Sequence, residues 1–433
     1  MPSKKIDIDV RHITRVEGHG NILVRARDGV IEKTEWQVPE APRFFEAMVR
    51  GCSFQDIQTI VSRICGICSV THSLAALKAL EDALGVEVSE QTIRLRILAH
   101  YGEQLESHSL HVGYLAAPDL LGRKSVIPLA ASHPDLVRTV IAIHRAGNLI
   151  MEKLAGRKTH PVRLIPGGFA MLPTAADLRA LKHELEATLP RLQVLAEAVA
   201  GLAGAFPAFE RDTEYVALMK EPTYPYYHGD IGSSDTGEKV PVREFERVVN
   251  EYVTPQSTAK WTRWHRESYM VGALARFNLN GTWLQPLAKA TAEALGLRQG
   301  CCNPYLNNLA QVVESVHVVE RSLQLIDELL SAGIRPETPK VAPRAGVGVG
   351  AVEAPRGVLF HKYELDAKGN CLSANMCIPT NQNHANIQQD LEALVPQIID
   401  RERDEIRRLM EMLVRAYDPC ISCSTHFLNV EFV

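Results

Sequence analysis

The stretch RICGICSVTH at residues 63–72 contains two cysteines separated by two residues, and it leads into a segment with apolar side chains at helical spacing. The start of a helix favours thiolates, because exposed backbone N–H groups and the helix dipole stabilise negative charge there. The pattern recurs near the end of the chain, in DPCISCSTH at residues 418–426. If the two pairs act together, the two ends of the chain must meet in the fold.

The four paired cysteines suit three kinds of site. A structural zinc site with four cysteine ligands is chemically natural, but its ligand pairs usually come from one short module. A thioredoxin-like dithiol needs one CxxC after a strand in a βαβ pattern, and the sequence around these pairs lacks that pattern. A redox or catalytic metal centre with soft thiolate ligands from both ends accounts for both pairs. The spacing favours this third interpretation and leaves structural zinc as the main alternative.

Composition excludes several classes of protein. The 433 residues include 47 basic and 51 acidic side chains, so there is no basic excess to attract nucleic acid or an anionic membrane. No uncharged apolar run reaches the roughly 18 to 20 residues of a transmembrane segment, and the N-terminus lacks the apolar block of a signal peptide. Nine cysteines are too few for a disulfide scaffold at this length. We interpret the five unpaired ones as core residues.

Apolar periodicity predicts a mainly α fold, a large helical bundle with a small N-terminal β element. Residues 5–13 and 21–38 alternate as strands do, with a hairpin turn at 28–29. Helices are predicted over 70–84, 136–154, 176–199, 309–330 and 391–417, with Thr174 as an N-cap and Gly333 as a C-terminal stop. Segments rich in proline and glycine at 166–168, 224–237 and 336–357 are predicted loops.

Although the length suggests about three domains of about 150 residues, no linker or repeat divides the chain. We therefore predict a single domain over 1–433, comprising a β element at 1–40, a helical body at 41–426 and a short tail at 427–433.

The two cysteine motifs together resemble the signature motifs of the large subunit of nickel–iron hydrogenases. Further segments that match this family in order are TRVEGH at 14–19, APRFFE at 41–46, His160 with PGG at 166–168, and EAPRG at 353–357. Three others, ESHSLH at 106–111, SYMVG at 268–272 and NPYLNNLAQ at 303–311, are similar to the cytoplasmic sulfhydrogenase or NAD(P)-linked type. The resemblance covers essentially the whole chain and implies reversible heterolytic cleavage of dihydrogen.

The resemblance implies that the four cysteines bind a nickel–iron centre. Cys65 and Cys420 would be terminal ligands of nickel, while Cys68 and Cys423 would bridge to an iron that carries cyanide and carbon monoxide. Soft thiolates suit a nickel that changes oxidation state. They would suit zinc equally well without the flanking motifs.

Three further residues receive catalytic roles by resemblance. Glu17 matches a glutamate that relays protons from the terminal thiolate of Cys420, a role suited to a carboxylate. Arg356 matches an arginine above the open metal position, and Asp418 is expected to orient it through a bidentate pair. Many relatives place a second aspartate near this arginine, but the corresponding residue here is Ser107. This departure weakens any two-carboxylate arrangement.

The resemblance also implies a second metal ion and two residues beside the cofactor. Glu46 and His426 match ligands of a magnesium or iron ion, and Met376 is the candidate for a third ligand through its carbonyl. His72, one turn after Cys68, is expected to hydrogen-bond to a sulfur or a cyanide. A core histidine paired with a carbonyl is the alternative. Pro355 is the other predicted contact of the cofactor.

The partners follow from motifs that the sequence lacks. Outside the two pairs no cysteine spacing suits an iron–sulfur cluster, and GVGVG at 346–350 lacks the spacing of a dinucleotide-binding loop. An iron–sulfur small subunit is therefore expected, together with a flavin- and NAD(P)-binding subunit or another electron acceptor. A maturation protease is expected to act on the tail at 427–433 if that tail is processed. A dihydrogen sensor with the same site is a further alternative.

Overall fold

The computed structural model describes residues 5–28 and 30–425. Helices form about half of the chain, and five small sheets complete the described part, so the architecture is more mixed than a mainly helical bundle. The helices are α1 Phe45–Met48, α2 Phe54–Val61, α3 Ser69–Leu84, α4 Glu90–Leu110, α5 Ala117–Leu120, α6 Ile127–Ser132, α7 Pro134–Ala155, α8 Ala175–Ala200, α9 Glu246–Val249, α10 Ala273–Asn280, α11 Pro286–Ala294, α12 Asn307–Ala332, α13 Pro379–Ile398, α14 Arg403–Ala416 and α15 Ile421–Ser424.

The strands are short, and most pairings are antiparallel. They are β1 Lys5–Val10, β2 Asn21–Arg27, β3 Val30–Gln37, β4 Leu164–Ile165, β5 Gly168–Phe169, β6 Glu214–Met219, β7 Asp230–Ser233, β8 Lys239–Val240, β9 Tyr252–Thr254, β10 Ser257–Trp261, β11 Tyr269–Met270, β12 Gly346–Ala354, β13 Gly357–Leu365 and β14 Cys371–Cys377. The sheets have the orders β1-β2-β3, β4-β5, β11-β6-β7-β8, β10-β9 and β12-β13-β14. No helix in the described ranges is long and apolar enough to cross a membrane.

Four of the five predicted helices are confirmed, as α3, α7, α8 and α12. Thr174 caps α8, since its side chain accepts from the Asp177 N–H at 3.1 Å and the Asp177 carboxylate accepts from the Thr174 N–H at 3.0 Å. Gly333 follows α12 with φ 72°. The single helix predicted over 391–417 is wrong, because α13 ends at Ile398 and α14 begins at Arg403. Both helices bury an apolar face. The helical period of apolar residues therefore continues across the break, which is why the sequence predicts one helix there.

The loop predicted over 336–357 is also wrong, because it contains β12. Every second residue at the start of this strand is a glycine, and the glycine face packs directly on α3. A Cβ atom would collide with a backbone carbonyl of α3, in the pairs Gly346 with Ala83, Gly348 with Ala79 and Gly350 with Ala75. The strand and the helix therefore run antiparallel, which brings the end of β12 beside the start of α3. This packing places the turn that bears Arg356 next to the first cysteine pair.

Helix α4 lies at the centre of the helical body, where it contacts α7 and α12. Almost every residue from Leu98 to Ser109 is buried, including several polar ones. Because both polar and apolar side chains are buried around its whole circumference, this helix has no amphipathic period, so its residue pattern does not predict it. The main apolar core surrounds α4 and joins these helices, while a smaller core lies between β6 to β8 and the β12–β13 hairpin.

The N-terminal sheet places the segment that follows β1 against the C-terminal end of the chain. Trp36 of β3 is fully buried, and its indole N–H donates to His384 Nδ1 of α13 at 3.0 Å. Beyond β1, the backbone of Glu17 pairs with Cys420 in a parallel bridge, and the Ile421 N–H donates to the Glu17 carbonyl at 2.9 Å. The N-terminal segment is therefore part of the second cysteine motif's surroundings.

Candidate metal centre

The structure brings the four paired cysteines together in the interior. Their Sγ atoms all lie within 4.8 Å of one another, and all four residues are buried. Cys65 Sγ lies 3.6 Å from Cys420 Sγ, and Cys68 Sγ lies 3.8 Å from Cys423 Sγ, so each contact joins opposite ends of the chain. All nine cysteines are free thiols. Among residues 5–28 and 30–425, this is the one group of His, Cys, Asp or Glu side chains with the geometry to hold a metal ion.

The first pair lies at the start of α3, as the sequence predicted. Cys68 is the N-cap of the helix, and Cys65 Sγ accepts the backbone N–H groups of Ile67 and Cys68, both at 3.2 Å. The neighbouring thiols Cys420 and Cys423 lower the pKa of Cys65 by hydrogen bonding, and the charge of Arg356 acts in the same direction. The assembled site therefore favours a thiolate at Cys65.

The second pair follows α14, where the chain makes a turn and enters the short helix α15. The Cys420 N–H donates to Thr380 Oγ1 at 3.0 Å, which ties this turn to α13. Glu17 Oε2 lies 3.2 Å from Cys420 Sγ and accepts the Ser422 N–H at 3.0 Å. Burial raises the pKa of Cys420. Cys420 therefore faces a carboxylate, and Glu17 is half-buried at the edge of the site.

Arg356 and Asp418 form a buried pair beside the thiols. Arg356 is 4% exposed, and its Nε donates to the Asp418 backbone carbonyl at 2.6 Å while Nη2 donates to Oδ1 at 2.9 Å. The predicted bidentate contact with both carboxylate oxygens is wrong, because Asp418 Oδ2 instead accepts from Gln311 Nε2 at 3.1 Å. Asp418 adopts φ 51°, which turns its backbone carbonyl toward the guanidinium. Ser107 Oγ lies 3.5 Å from Arg356 Nη1.

Two of the three residues predicted for a second metal ion lie together. Glu46, at the start of α1, accepts the Met376 backbone N–H at 2.9 Å through Oε1, and Lys260 Nζ lies 3.5 Å from the same oxygen. This contact is made by the N–H of Met376, whereas the prediction concerns its carbonyl. His426 and the tail at 427–433 lie outside the described residues.

The two predicted contacts of the cofactor have partners deep in the core. His72 Nδ1 lies 3.2 Å from His361 Nε2, and His361 Nδ1 lies 2.7 Å from the hydroxyl of Tyr363. His72 thus belongs to a chain of hydrogen bonds that runs from α3 into β13. The Pro355 carbonyl accepts from Arg276 Nη2 at 3.0 Å, which holds the turn between β12 and β13.

A buried charge network behind this turn escaped the sequence analysis. Arg276 donates to both oxygens of Glu314 at 2.7 Å, to Glu353 at 2.9 Å and to the Ala354 carbonyl at 2.8 Å. Burial by itself raises the pKa of Glu314, but Arg276 and His108 lower it below its ordinary value. The sequence signal for this network is a single charged residue within an otherwise largely uncharged segment, as at Arg276, Glu314 and Glu353. The network fixes the backbone that precedes Arg356.

This donor set fits a nickel–iron centre. Four soft sulfur ligands converge at one buried point, with a carboxylate beside one sulfur and a guanidinium nearby. A zinc site needs only the four sulfurs and leaves the buried Arg356–Asp418 pair and the contact between Glu17 and Cys420 without a role.

Comparisons with known proteins agree with this chemistry. The family model described as nickel-dependent hydrogenase matches residues 43–137 and 217–426. The subunit alpha of sulfhydrogenase 2 from Pyrococcus furiosus is 34% identical over 424 residues, which cover 98% of this chain and 100% of that protein. The subunit beta of the NAD-reducing hydrogenase HoxS from Cupriavidus necator is 30% identical over 472 residues, covering 99% of this chain and 96% of that protein.

A solved structure has the same fold over almost the whole length. It is the crystal structure of an NAD+-reducing NiFe-hydrogenase in the H2-reduced state, with a TM-score of 0.88 and 27% identity. The match covers 97% of this chain and 99% of that chain.

Proposed function

The chain belongs to the nickel-dependent hydrogenase family and acts on dihydrogen as the catalytic large subunit, and we propose that each residue around the thiols has a separate part in that reaction. The observation that carries this proposal is the convergence of four buried thiols from both ends of the chain, within 4.8 Å. Cys65, Cys68, Cys420 and Cys423 would hold nickel and iron, and the iron would carry cyanide and carbon monoxide. When bound, this centre supplies the heterolytic cleavage of dihydrogen.

Glu17 is the residue that moves the proton on the Cys420 side. Its Oε2 atom lies 3.2 Å from Cys420 Sγ, within reach of a proton held on that sulfur. The Ser422 N–H donates to the same oxygen and holds it in place, while the half-buried position of Glu17 gives it contact with solvent. We propose that Glu17 accepts the proton at Oε2 and releases it to water.

Arg356 is the positively charged group that faces the thiols. Its Nε and Nη2 atoms are engaged by Asp418, so the orientation of the guanidinium plane is fixed. Among the residues that the structure describes, Nη1 has only the long contact with Ser107. We propose that Nη1 orients dihydrogen or holds a diatomic ligand. His72 and Pro355, positioned by His361 and Arg276, would shape the wall of the cofactor cavity.

The second metal ion, the partners and the location complete the proposal. Glu46 with the Met376 carbonyl and His426 would bind magnesium or iron. Electrons would pass to an iron–sulfur small subunit and then to a flavin- and NAD(P)-binding subunit or another acceptor. The similarity to an NAD-reducing hydrogenase supports this route and a cytoplasmic location. We treat residues 1–433 as one domain, with a tail that a protease would remove if the chain is a precursor.

Metal analysis and infrared spectroscopy of the purified complex test the proposal. We expect equimolar nickel and iron, infrared bands of iron-bound cyanide and carbon monoxide, and dihydrogen-dependent reduction of a redox dye. Zinc without nickel would refute the metal assignment. The infrared bands without dye reduction or isotope exchange would refute turnover and point to a sensor.

A further inference from the structure

We propose that His111 is a positioning residue for the reaction, held as an imidazolium that fixes Asp418 at two points and, through Asp418, also fixes Arg356. The inference rests on the proposed function, because Asp418 and Arg356 belong to the surroundings of the metal centre described there. His111 directly follows the last residue of α4 and lies against α12 and α14. Each link from its ring to Arg356 is a hydrogen bond between named atoms.

His111 begins a π-helical turn, His111–Ala116, that continues α4. The residue is buried, with 1% of its surface exposed. Turns of this kind are rare in proteins and occur frequently at functional sites. Gly113 seats the turn on α7, since a Cβ atom at this position would collide with the side chain of Val140. The backbone that carries the imidazole is therefore held by packing against a neighbouring helix.

Both ring nitrogens of His111 face an oxygen atom at hydrogen-bond distance. Nε2 lies 2.7 Å from the backbone carbonyl of Arg415, and Nδ1 lies 2.6 Å from Gln311 Oε1. A carbonyl oxygen can only accept hydrogen bonds, so each contact needs an N–H group on the ring. A neutral imidazole has one N–H group, whereas an imidazolium has two. The ring therefore satisfies both contacts only when it is protonated.

The orientation of the Gln311 amide is set from its other end. Gln311 Nε2 donates to Asp418 Oδ2 at 3.1 Å, which leaves Oε1 to face His111. With the amide reversed, two oxygens would meet at Asp418 Oδ2, and this contact would need a proton on the acid. A protonated Asp418 would lose the charge that pairs with Arg356, whose Nη2 donates to Oδ1 at 2.9 Å. The charged His111 and the ionised Asp418 thus require each other, with Gln311 as the connection.

The carboxylate is the first point at which His111 holds Asp418. The imidazolium donates to Gln311, and Gln311 donates to Oδ2 of the carboxylate. On the other side, Arg356 Nη2 donates to Oδ1. Each carboxylate oxygen therefore has a donor of its own, which fixes the plane of the carboxylate and the direction from which Arg356 approaches it.

The backbone is the second point. The Arg415 carbonyl that accepts from His111 also accepts the Asp418 N–H at 2.8 Å. Asp418 adopts φ 51°, a left-handed conformation that residues other than glycine seldom adopt, and its own carbonyl accepts from Arg356 Nε at 2.6 Å. The same turn leads to Cys420, two residues further on. His111 therefore secures the carbonyl to which this turn is tied.

The buried charge of His111 has partners that compensate for the loss of water. Arg415 lies in the last turn of α14, where the carbonyl groups have no partner within the helix and the helix dipole is negative, so a cation is stabilised there. The Asp418 carboxylate is one amide group away. The guanidinium of Arg415 has its own partners, Asp119 at 2.7 Å and Glu411 at 3.2 Å, which offset its repulsion.

His317 on α12 shows that burial of a histidine does not by itself produce this arrangement. It is 2% exposed, but its Nδ1 accepts the Gln285 N–H at 3.2 Å, so its ring carries a proton at Nε2 only. Burial lowers the pKa of His317 to about 4, which keeps the ring neutral at neutral pH. Its Nε2 atom has no hydrogen-bond partner among the described residues. His317 is therefore a matched control for His111.

Neutron diffraction from crystals of the perdeuterated, metal-loaded complex at neutral pH tests the protonation of His111 directly. We expect deuterium on both ring nitrogens of His111 and on the Gln311 amide nitrogen that faces Asp418. The ring of His317 should carry one deuterium, at Nε2. A single deuterium on the His111 ring would overturn the proposal, whichever nitrogen carries it. This readout does not depend on turnover.

Variants of the complex test the link to the metal centre. His111→Gln cannot donate at both ends, and Gln311→Met keeps the length of the side chain but makes neither bond. Each should lower turnover by about tenfold, within the roughly 10²-fold that a misplacement of about 1 Å can cost. The infrared bands of the iron-bound ligands should shift in both variants, while His317→Gln should change neither turnover nor bands. Unchanged turnover and bands in both variants would contradict the proposal.

The double variant separates positioning from a general loss of packing. Because both substitutions interrupt one chain of contacts, His111→Gln combined with Gln311→Met should lose no more turnover than His111→Gln alone. Losses that multiply to about a hundredfold would mean that the two residues act independently, and would refute the link through Gln311. If a variant loses its metals, the deuterium positions in the unmodified complex still decide the protonation of His111.

The outcomes also distinguish this inference from the proposed function. An unmodified complex without nickel or turnover would refute the proposed function, whereas the deuterium positions on His111 could still be measured. An active complex with a single deuterium on the His111 ring would refute the positioning role alone.

Discussion

The two cysteine pairs have identical spacing, but their surroundings differ in charge. At the first pair, two backbone N–H groups at the start of α3 point to Cys65 Sγ. Hydrogen bonding with the Cys420 and Cys423 thiols lowers the pKa of Cys65, and the charge of Arg356 adds to this effect. At the second pair, the Glu17 carboxylate lies 3.2 Å from Cys420 Sγ. The first side therefore stabilises negative charge on sulfur, while the second supplies a group that can take a proton from sulfur.

This difference teaches that a CxxC motif specifies ligands and leaves their chemical roles to the residues around them. Both pairs would present two sulfurs to a metal in any context. Only the groups contributed by β12, the segment after β1 and the α14–α15 turn make one sulfur a better proton carrier than another. We therefore expect variants of the sulfurs to have similar effects, and variants of the surrounding groups to separate the two sides.

The largest effect is expected from the sulfurs themselves. Cys65→Ser and Cys420→Ser should each reduce nickel content to background, because a hard serine oxygen is a poor ligand for a soft-ligand metal site. Elemental analysis of the purified complex measures this, with Cys302→Ser, a half-exposed free cysteine, as the control. Nickel retained in one variant but not in the other would show that the two pairs are unequal as ligands, contrary to our interpretation.

Glu17→Gln should separate the two sides most clearly. The amide cannot accept a proton from Cys420, so we expect turnover to fall by roughly 10²-fold, the usual cost of a lost general base. The infrared bands of the iron ligands should not change, since the sulfurs remain. Glu40→Gln is the matched control, because Glu40 accepts the His19 N–H at 2.9 Å, two residues after Glu17, and makes no hydrogen bond to a cysteine within the described ranges. Equal losses in both variants would argue against a relay through Glu17.

Arg356→Lys tests the positive side. A lysine lacks the planar guanidinium that lets Arg356 donate from Nε to the carbonyl and from Nη2 to the carboxylate of Asp418. We therefore expect a loss of about 2 kcal/mol in the free energy of unfolding, typical of a charged hydrogen bond. Urea unfolding of the metal-free chain measures this loss, with Arg145→Lys at an exposed position as the control. An unchanged free energy of unfolding would mean that the Arg356–Asp418 pair contributes little to the fold.

Ser107→Ala should have the smallest effect. The contact between Ser107 Oγ and Arg356 Nη1 is 3.5 Å long, at the limit of hydrogen bonding, so we expect turnover to change by less than about twofold. Steady-state dye reduction measures the change. A much larger loss would show that Ser107 has a direct part in holding Arg356.

Long amphipathic helices and helix caps were predictable because they are local. The periods of α7, α8 and α12, the capping box of Thr174 and the glycine after α12 each depend on residues within one or two turns of chain. Helix α4 was not predictable in this way, because its polar residues are buried by contacts with α7 and α12 and leave no apolar face. The strand β12 was mistaken for a loop, because its alternating glycines have a purpose only when α3 packs against them.

The candidate site divides along the same line. Short motifs in the sequence, each only a few residues long, identified the four thiols. The resemblance that these motifs carry assigned roles to Glu17, Arg356 and Asp418. The manner in which Asp418 holds Arg356 did not follow from the motifs, because it depends on a backbone carbonyl and on Gln311, which is 107 residues away. The support of the Arg356 turn by Arg276 depends likewise on a contact between distant segments.

The sequence alone indicated a soft-ligand metal centre and the family, because ligand chemistry is a property of residue type and short spacing. Tertiary structure decided that Cys420 faces the Glu17 carboxylate and that the Arg356 guanidinium lies beside the thiols. Those properties arise from desolvation and from charges a few ångströms apart, and both exist only after remote segments have packed together. Glu103 and Glu106 illustrate this division, since they are the same residue type one turn apart on α4 and differ only in what the fold places beside them.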